Sequence, residues 1–246
     1  MSDSLQDLTQ VQYKLICGDC LVEMNNIPTE SIDMVLCDLP YGTTKNSWDK
    51  PLPLNQLWEH YNRICKPNAC IALFSQPPYI ADLIKSNPKN FRYEWIWVKS
   101  MATGFLNANK MPLKAHENIL IFYKKLPTYN PQMVKGKPHK RSKLDKGSSN
   151  YSNYSNRTTS MSDEYYPTDI LEFGTEIRYH PTQKPVPLLS YLIETYTKVG
   201  DTILDNCMGS GSTGVAAYNL KRNFIGIECE SSYLKIAENR LKSLGF

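Results

Sequence analysis

The chain has 246 residues, 41% of them hydrophobic and 21% charged, a globular composition with enough length for one domain or one domain carrying an insertion. The formal net charge of +4 is modest, and no apolar run approaches the ~18 residues that a bilayer-spanning helix needs. Seven cysteines, an odd number, fit reduced thiols better than a disulfide framework, so a fibre, a disulfide mini-protein and a helical membrane span are all excluded.

Met1-Ser-Asp-Ser-Leu-Gln-Asp has neither the basic start nor the apolar stretch of a secretory signal, and a cytoplasmic location is expected. The first β-branched run, Gln12–Cys17, predicts a strand that ends near Asp19. Cys17 and Cys20 form a CxxC pair, but no second pair completes four ligands and no metal is expected. A strand over Ile32–Cys37 runs into Asp38. A helix over Leu54–Lys66, a strand over Cys70–Phe74, a helix over Tyr79–Ser86 and strands over Tyr93–Val98 and Asn118–Tyr123 follow. The pattern resumes near the C-terminus with a helix over Pro187–Lys198, a strand over Thr202–Leu204 and a helix over Ser212–Lys221. A strand over Phe224–Ile227 and a helix over Ser231–Ser243 complete it. Pro187 suits a helix start, and Gly200 and Gly245 read as stops. Seven strands alternating with helices predict an α/β fold, with a mostly parallel sheet covered on both faces. Ligands collect beyond the carboxyl ends of such strands, so Asp19, Asp38, Asp205 and Glu228 are expected around one cleft.

The alternation fails between Lys124 and about Gly174. Between Lys124 and Lys146 lie eight of the 28 Lys and Arg residues against one of the 24 acids, which leaves the rest of the chain net negative by three. The stretch continues as Gly-Ser-Ser-Asn-Tyr-Ser-Asn-Tyr-Ser-Asn, polar and without a core-forming period. It is expected to be a partly flexible insertion over 125–176 that divides a domain of 1–124 and 177–246. Its charge calls for an anion.

Asp205-Asn-Cys-Met-Gly-Ser-Gly-Ser-Thr-Gly214 follows a strand and opens a helix, with glycines at 209, 211 and 214 in G-x-G-x-x-G spacing. Such glycines bring backbone N–H groups close to a ligand, or simply make a tight turn. No Gly-Lys-Ser/Thr follows, which argues against an NTPase phosphate loop. Glu228 ends the next strand, 17 positions after Gly211, where a carboxylate can accept both hydroxyls of a ribose. A nucleoside-bearing cofactor is indicated, but the glycines do not choose between NAD and S-adenosylmethionine.

Asp38-Leu39-Pro40-Tyr41-Gly42 makes that choice. It resembles the Asp-Pro-Pro-Tyr signature of S-adenosylmethionine-dependent DNA amino-methyltransferases of the adenine N6 and cytosine N4 type. Gly18-Asp19-Cys20, His116-Glu-Asn-Ile-Leu-Ile-Phe122, His180-Pro-Thr-Gln-Lys-Pro185, Asp205 to Gly214 and Ile225-Gly-Ile-Glu228 are similar to further segments of that family in its beta-type order. The resemblance implies a Rossmann-like class I methyltransferase of permuted motif order. The insertion would be its target-recognition region on double-stranded DNA, and a homodimer and a cognate restriction endonuclease are possible companions. It further implies Asp38, Leu39, Pro40 and Tyr41 as the catalytic turn. Asp38 and the Leu39 carbonyl would accept the amine hydrogens, and Tyr41 would stack on the extruded base. For the cofactor it implies Asp19 and Cys20 near the adenine, Asp38, Asp205 and the backbone of Met208, Gly209, Ser210 and Gly211 along the ligand, Glu228 at the ribose, and Thr182 with Lys184 at the carboxylate.

Leu39 departs from the usual proline, but a main-chain acceptor survives that change. Lys184 reads equally well as a solvated surface lysine, and His180 as a residue that shapes its turn. Phe105 fits either the base pocket or the core. Lys135, Lys137, Lys140, Arg141, Lys143 and Arg157 are the candidate DNA contacts, set against the alternative of a merely solvated loop, and Asn150–Asn156 offers tyrosines and asparagines for base edges. A carboxylate is a stronger acceptor than a hydroxyl, so Asp38 points to adenine, whereas the family's cytosine enzymes more often begin this motif with serine. Transfer to cytosine N4 or to an RNA base, a NAD-dependent dehydrogenase and a non-catalytic DNA-binding protein are the competing readings. No Pro-Cys nucleophile motif for cytosine C5 chemistry is present.

Overall fold

The computed structural model describes residues 11–42, 49–144, 157–176 and 183–245. In chain order its elements are β1 (Tyr13–Cys17), α1 (Cys20–Glu23), β2 (Ile32–Asp38), α2 (Leu54–Ile64), β3 (Cys65–Ser75), α3 (Tyr79–Ser86), β4 (Phe91–Thr103) and β5 (Lys114–Phe122). Then come β6 (Val134–Leu144), β7 (Arg157–Tyr165), β8 (Ile170–Phe173), α4 (Val186–Tyr196), β9 (Thr202–Asp205), α5 (Ser212–Asn219), β10 (Asn223–Glu228) and α6 (Ser231–Lys242). No helix among the described residues is long and apolar enough to cross a membrane.

The central sheet has eight strands in the order β1-β10-β9-β2-β3-β5-β4-β8, one more than the seven expected. β1, β10, β9, β2 and β3 run parallel, β5 is antiparallel to both β3 and β4, and β8 is parallel to β4. The parallel strands read as continuous apolar runs because both of their faces are covered. In β2, Met34 and Leu36 enter a core with α4, α5 and α6, while Val35 and Cys37 enter a second core with α1, α2 and α3. α2 buries Leu57, Trp58, Tyr61 and Ile64, one face at helical spacing, and stops where Cys65 turns extended.

The chain divides into two compact units, one of residues 1–130 and 169–246, the other Pro131–Thr168. The second unit is narrower than the expected 125–176 for two reasons. Lys125 N donates to Pro67 O at 3.1 Å and Asn130 N to Thr195 O at 2.7 Å, so those residues belong to the main unit. On the far side, Ile170–Phe173 pairs with Ile96–Lys99 and extends the central sheet. The second unit also corrects the expectation of an irregular stretch, since its β6 and β7 form an antiparallel pair. The segment Asn150–Asn156 lies outside the described residues.

Candidate active site

A cavity of about 620 Å³ opens at the carboxyl ends of β1, β2, β9 and β10, within the range typical of small-molecule sites. Asp19, Asp38, Asp205 and Glu228 all line it. Parallel strands place those four ends side by side, and the glycine turn before α5 closes the floor.

The glycine turn is built from the backbone outward. Gly209 and Gly211 have φ of +52° and +76°, the left-handed region that penalises any side chain. Gly209 N donates to Glu228 Oε2 at 2.8 Å, and Glu230 N donates to Glu228 Oε1 at 2.9 Å. Glu228 thus ties the end of β10 to the turn, and as a carboxylate it retains further acceptor sites. Ser210 is held by Arg240 Nη1, at 2.7 Å from its carbonyl and 3.2 Å from its hydroxyl. The Met208 side chain is buried and packs in the core shared with α4 and α5.

Asp205 takes a structural part that spacing alone does not reveal. It is 4% exposed, accepting from Thr213 Oγ1 at 2.6 Å and from Cys207 N at 3.2 Å. Burial pushes its carboxyl up to about 6, against the opposing pull of those hydrogen bonds. An acid whose folded value lies above its unfolded value binds its proton more tightly when folded, so stability falls as pH rises between about 4 and 6. Asp205→Asn should remove that part of the pH dependence. Urea denaturation from pH 4 to 7.5 checks this, and a variant with an unchanged profile would show that Asp205 is not the source.

At the other cavity wall, β2 delivers Asp38 to the turn. Tyr41 donates its hydroxyl to Asp38 Oδ1, and Lys184 Nζ lies 2.5 Å from Oδ2. The Tyr41 ring is backed by Tyr79, with centroids 5.3 Å apart. Burial and the neighbouring Asp38 charge push the Tyr41 phenol well above its ordinary value, so it stays a donor. The Leu39 side chain is buried in the core with α2 and α3, which leaves its carbonyl as the group it can offer.

Lys184 is not a solvated lysine. Its side chain is 10% exposed, and its ammonium also faces Glu117 Oε2 at 3.3 Å. Glu117 Oε1 is in turn bound by Lys99 at 2.5 Å. Burial alone would lower the Lys184 value, but Asp38 and Glu117 together outweigh it and the ammonium is raised. Burial would likewise raise Glu117, yet Lys184 and Lys99 hold it below its ordinary value. Glu117 and Lys99 are site residues that sequence reasoning missed, although Glu117 stands inside the His116 to Phe122 segment. The same is true of Tyr233 on α6, which lines the cavity.

The remaining expected residues are placed as follows. Asp19 is exposed and caps α1, accepting from Leu21 N at 2.8 Å, while Cys20 is buried behind it and both line the cavity. Phe105 is 68% exposed, which corrects the core alternative, and it is not among the residues that line the cavity. Lys135, Lys137 and Lys140 are exposed on β6, and the Arg141 guanidinium lies 5.0 Å from the Tyr166 ring centroid. Lys143 and Arg157 lie on the strands β6 and β7, and Thr182 and His180 lie outside the described residues.

Known proteins match this architecture. The family of N6/N4 methyltransferases, described as DNA methylase, matches residues 32–239. "DNA adenine methyltransferase YhdJ" of Escherichia coli K12 is 28% identical over 248 residues, covering 92% of this chain and 82% of its own. The solved complex of M1.HpyAVI with SAM superposes with a TM-score of 0.64 at 24% identity, covering 94% of this chain and 100% of that one. The cytosine-N4-specific PvuII DNA methyltransferase superposes at 0.67 with 17% identity, covering 94% and 87%. Both solved structures share the fold. With the family match extending over most of its length, from β2 to α6, this chain belongs to the N6/N4 DNA methylase family.

Proposed function

We propose that this protein transfers a methyl group from S-adenosylmethionine to the exocyclic N6 amine of an adenine turned out of double-stranded DNA. The observation that carries the reading is one cavity lined both by Asp38-Leu-Pro-Tyr41 and by the glycine turn that Glu228 holds. The residues present fit the cofactor. A Cβ added at Gly209 would meet nothing within 4 Å among the described residues, so the backbone there is open to close approach, and Glu228 is 8% exposed with acceptor capacity left for ribose hydroxyls. When bound, S-adenosylmethionine supplies a methyl group made electrophilic by its sulfonium.

An adenine amine is a weak nucleophile because its lone pair is delocalised into the ring. Asp38 accepts one amine hydrogen and the Leu39 carbonyl the other, which draws the nitrogen towards tetrahedral geometry and frees the lone pair. Extruding the base costs a few kcal/mol. Stacking on Tyr41 offsets about 1 to 3 kcal/mol of that.

The carboxylate at Asp38 and the similarity to YhdJ support adenine. The fold shared with the PvuII enzyme makes cytosine N4 the second reading. Labelled cofactor with duplexes lacking adenine, duplexes lacking cytosine and RNA separates the two. Label is expected only where adenine is present in DNA, as N6-methyladenine, and label in adenine-free duplex would overturn the base assignment.

Lys135, Lys137, Lys140 and Arg141 of the β6–β7 pair are the proposed phosphate contacts, with Lys143 and Arg157 on the same strands. Each neutralised phosphate steepens the log–log salt dependence by about 0.9. Alanine at Lys135, Lys137 and Lys140 should flatten that slope by about 0.9 for each phosphate no longer neutralised and weaken all DNA sequences alike. Affinity titrations at several salt concentrations measure it, and an unchanged slope would remove these lysines from the interface.

A further inference from the structure

Both oxygens of Asp38 are already occupied. Oδ1 accepts the Tyr41 hydroxyl and Oδ2 holds the Lys184 ammonium at 2.5 Å, so an incoming amine competes with one of them for the carboxylate. Tyr41 is pinned by its contact with Tyr79. Lys184 has somewhere to go. Glu117 Oε2 is buried 3.3 Å from its nitrogen, in ion-pair range but with no full hydrogen bond among the described residues, so a closer approach of the ammonium would satisfy it. Lys99 fixes the other oxygen of the same carboxylate at 2.5 Å.

We propose that Lys184 is the resident occupant of the place on Asp38 that the target amine takes, and that Glu117, held by Lys99, is the seat to which the ammonium moves when the base enters. The proposal rests on the reading of Asp38 as amine acceptor. An ammonium left on Asp38 would weaken that acceptor and would stand beside a nitrogen that turns positive during transfer. Withdrawing it to Glu117 removes both effects without leaving a buried charge unpaired. Glu117 and Lys99 are therefore positioning residues, acting through Lys184.

Glu117→Gln keeps the side chain's size and removes the charge of the seat. In single-turnover transfer of labelled methyl to unmodified DNA, at saturating cofactor and DNA, it should slow the reaction about tenfold, while cofactor affinity by titration stays within about twofold. Lys184→Met removes the ammonium itself. In that background Glu117→Gln should cost nothing further, because no ammonium remains to be seated, and Glu117→Asp should recover part of the rate in the presence of Lys184. An equal loss from Glu117→Gln in both backgrounds, or a loss confined to KM, overturns the proposal. Should thermal melts show that Glu117→Gln does not fold, Glu117→Met, which also removes the charge of the seat, replaces it in the same cycle, with the same outcomes on each side. Base analysis of the unaltered enzyme's product tests the parent reading separately. Label on no base amine sinks that reading, whereas label on an amine with additive variant losses sinks only the two-seat arrangement.

Discussion

Asp38→Ala is expected to bind S-adenosylmethionine within about threefold of the unaltered protein and to transfer methyl roughly a thousandfold more slowly. The glycine turn and Glu228, proposed to carry the cofactor, are held by hydrogen bonds to one another, whereas the Asp38 side chain binds Tyr41 and Lys184. What is lost is the charged acceptor that turns the amine into a nucleophile. The variant also withdraws one of the two carboxylates facing Lys184. A fully buried pair broken in this way costs about 3 to 5 kcal/mol, and the cost is smaller here because the Asp38 side chain is 26% exposed and Glu117 remains 3.3 Å away. Asp38→Asn separates the two consequences, since it preserves shape but has one donor where the carboxylate had an acceptor. Cofactor titration, thermal melting and single-turnover transfer on the two variants give the answer, and turnover near the unaltered rate would remove Asp38 from the reaction.

Gly211→Ala should show the second largest effect, and on stability and cofactor affinity together. The residue sits at φ +76° just before α5, and a Cβ there would stand 2.7 Å from Ala237 Cβ and 3.2 Å from Ala237 Cα. The left-handed backbone costs an alanine about 1 to 2 kcal/mol, and overpacking against α6 adds about 1 to 3. A main-chain neighbour cannot rotate away, so α5 and α6 must separate. That motion carries Ser210 off Arg240 and disturbs the turn next to Glu228. A fall in Tm of about 4 to 20 °C and at least a tenfold loss of cofactor affinity are expected. Gly209→Ala is the control for stability, because its φ of +52° brings backbone strain but its Cβ meets nothing within 4 Å among the described residues. Calorimetric melts on both variants decide the matter, and equal falls in Tm would show that contact with Ala237 is not the cause, while cofactor affinity is compared between Gly211→Ala and the unaltered protein.

How far each element is legible in the sequence follows the reach of its signal. Strands and helices with strong periods, such as α3 over Tyr79–Ser86 and β2 up to Asp38, are legible because burial of one face or both is written at spacings of two to four residues. β6, β7 and β8 are not legible. β6 and β7 are mostly polar and β8 is only four residues long, and their pairing is satisfied by hydrogen bonds to partners elsewhere in the chain, as Ile170–Phe173 is by β4. Asp205 reads as one of four equivalent strand-end acids until its burial and its bond to Thr213 show that it shapes the turn.

Residue order alone was enough for the α/β class, for the Asp38 to Tyr41 turn proposed as catalytic, for the glycine turn proposed to hold the cofactor and for the clustering of positive charge between Lys124 and Lys146. Each of these is local, fixed by neighbours within one strand or turn. The chain of charges from Lys99 through Glu117 and Lys184 to Asp38 exists only once the strands are assembled. Its members come from β4, β5, the segment before α4 and β2, and Asp38 and Lys184 are 146 positions apart. Coulomb energy depends on distance through space and on exclusion of water, and neither is encoded in spacing along the chain.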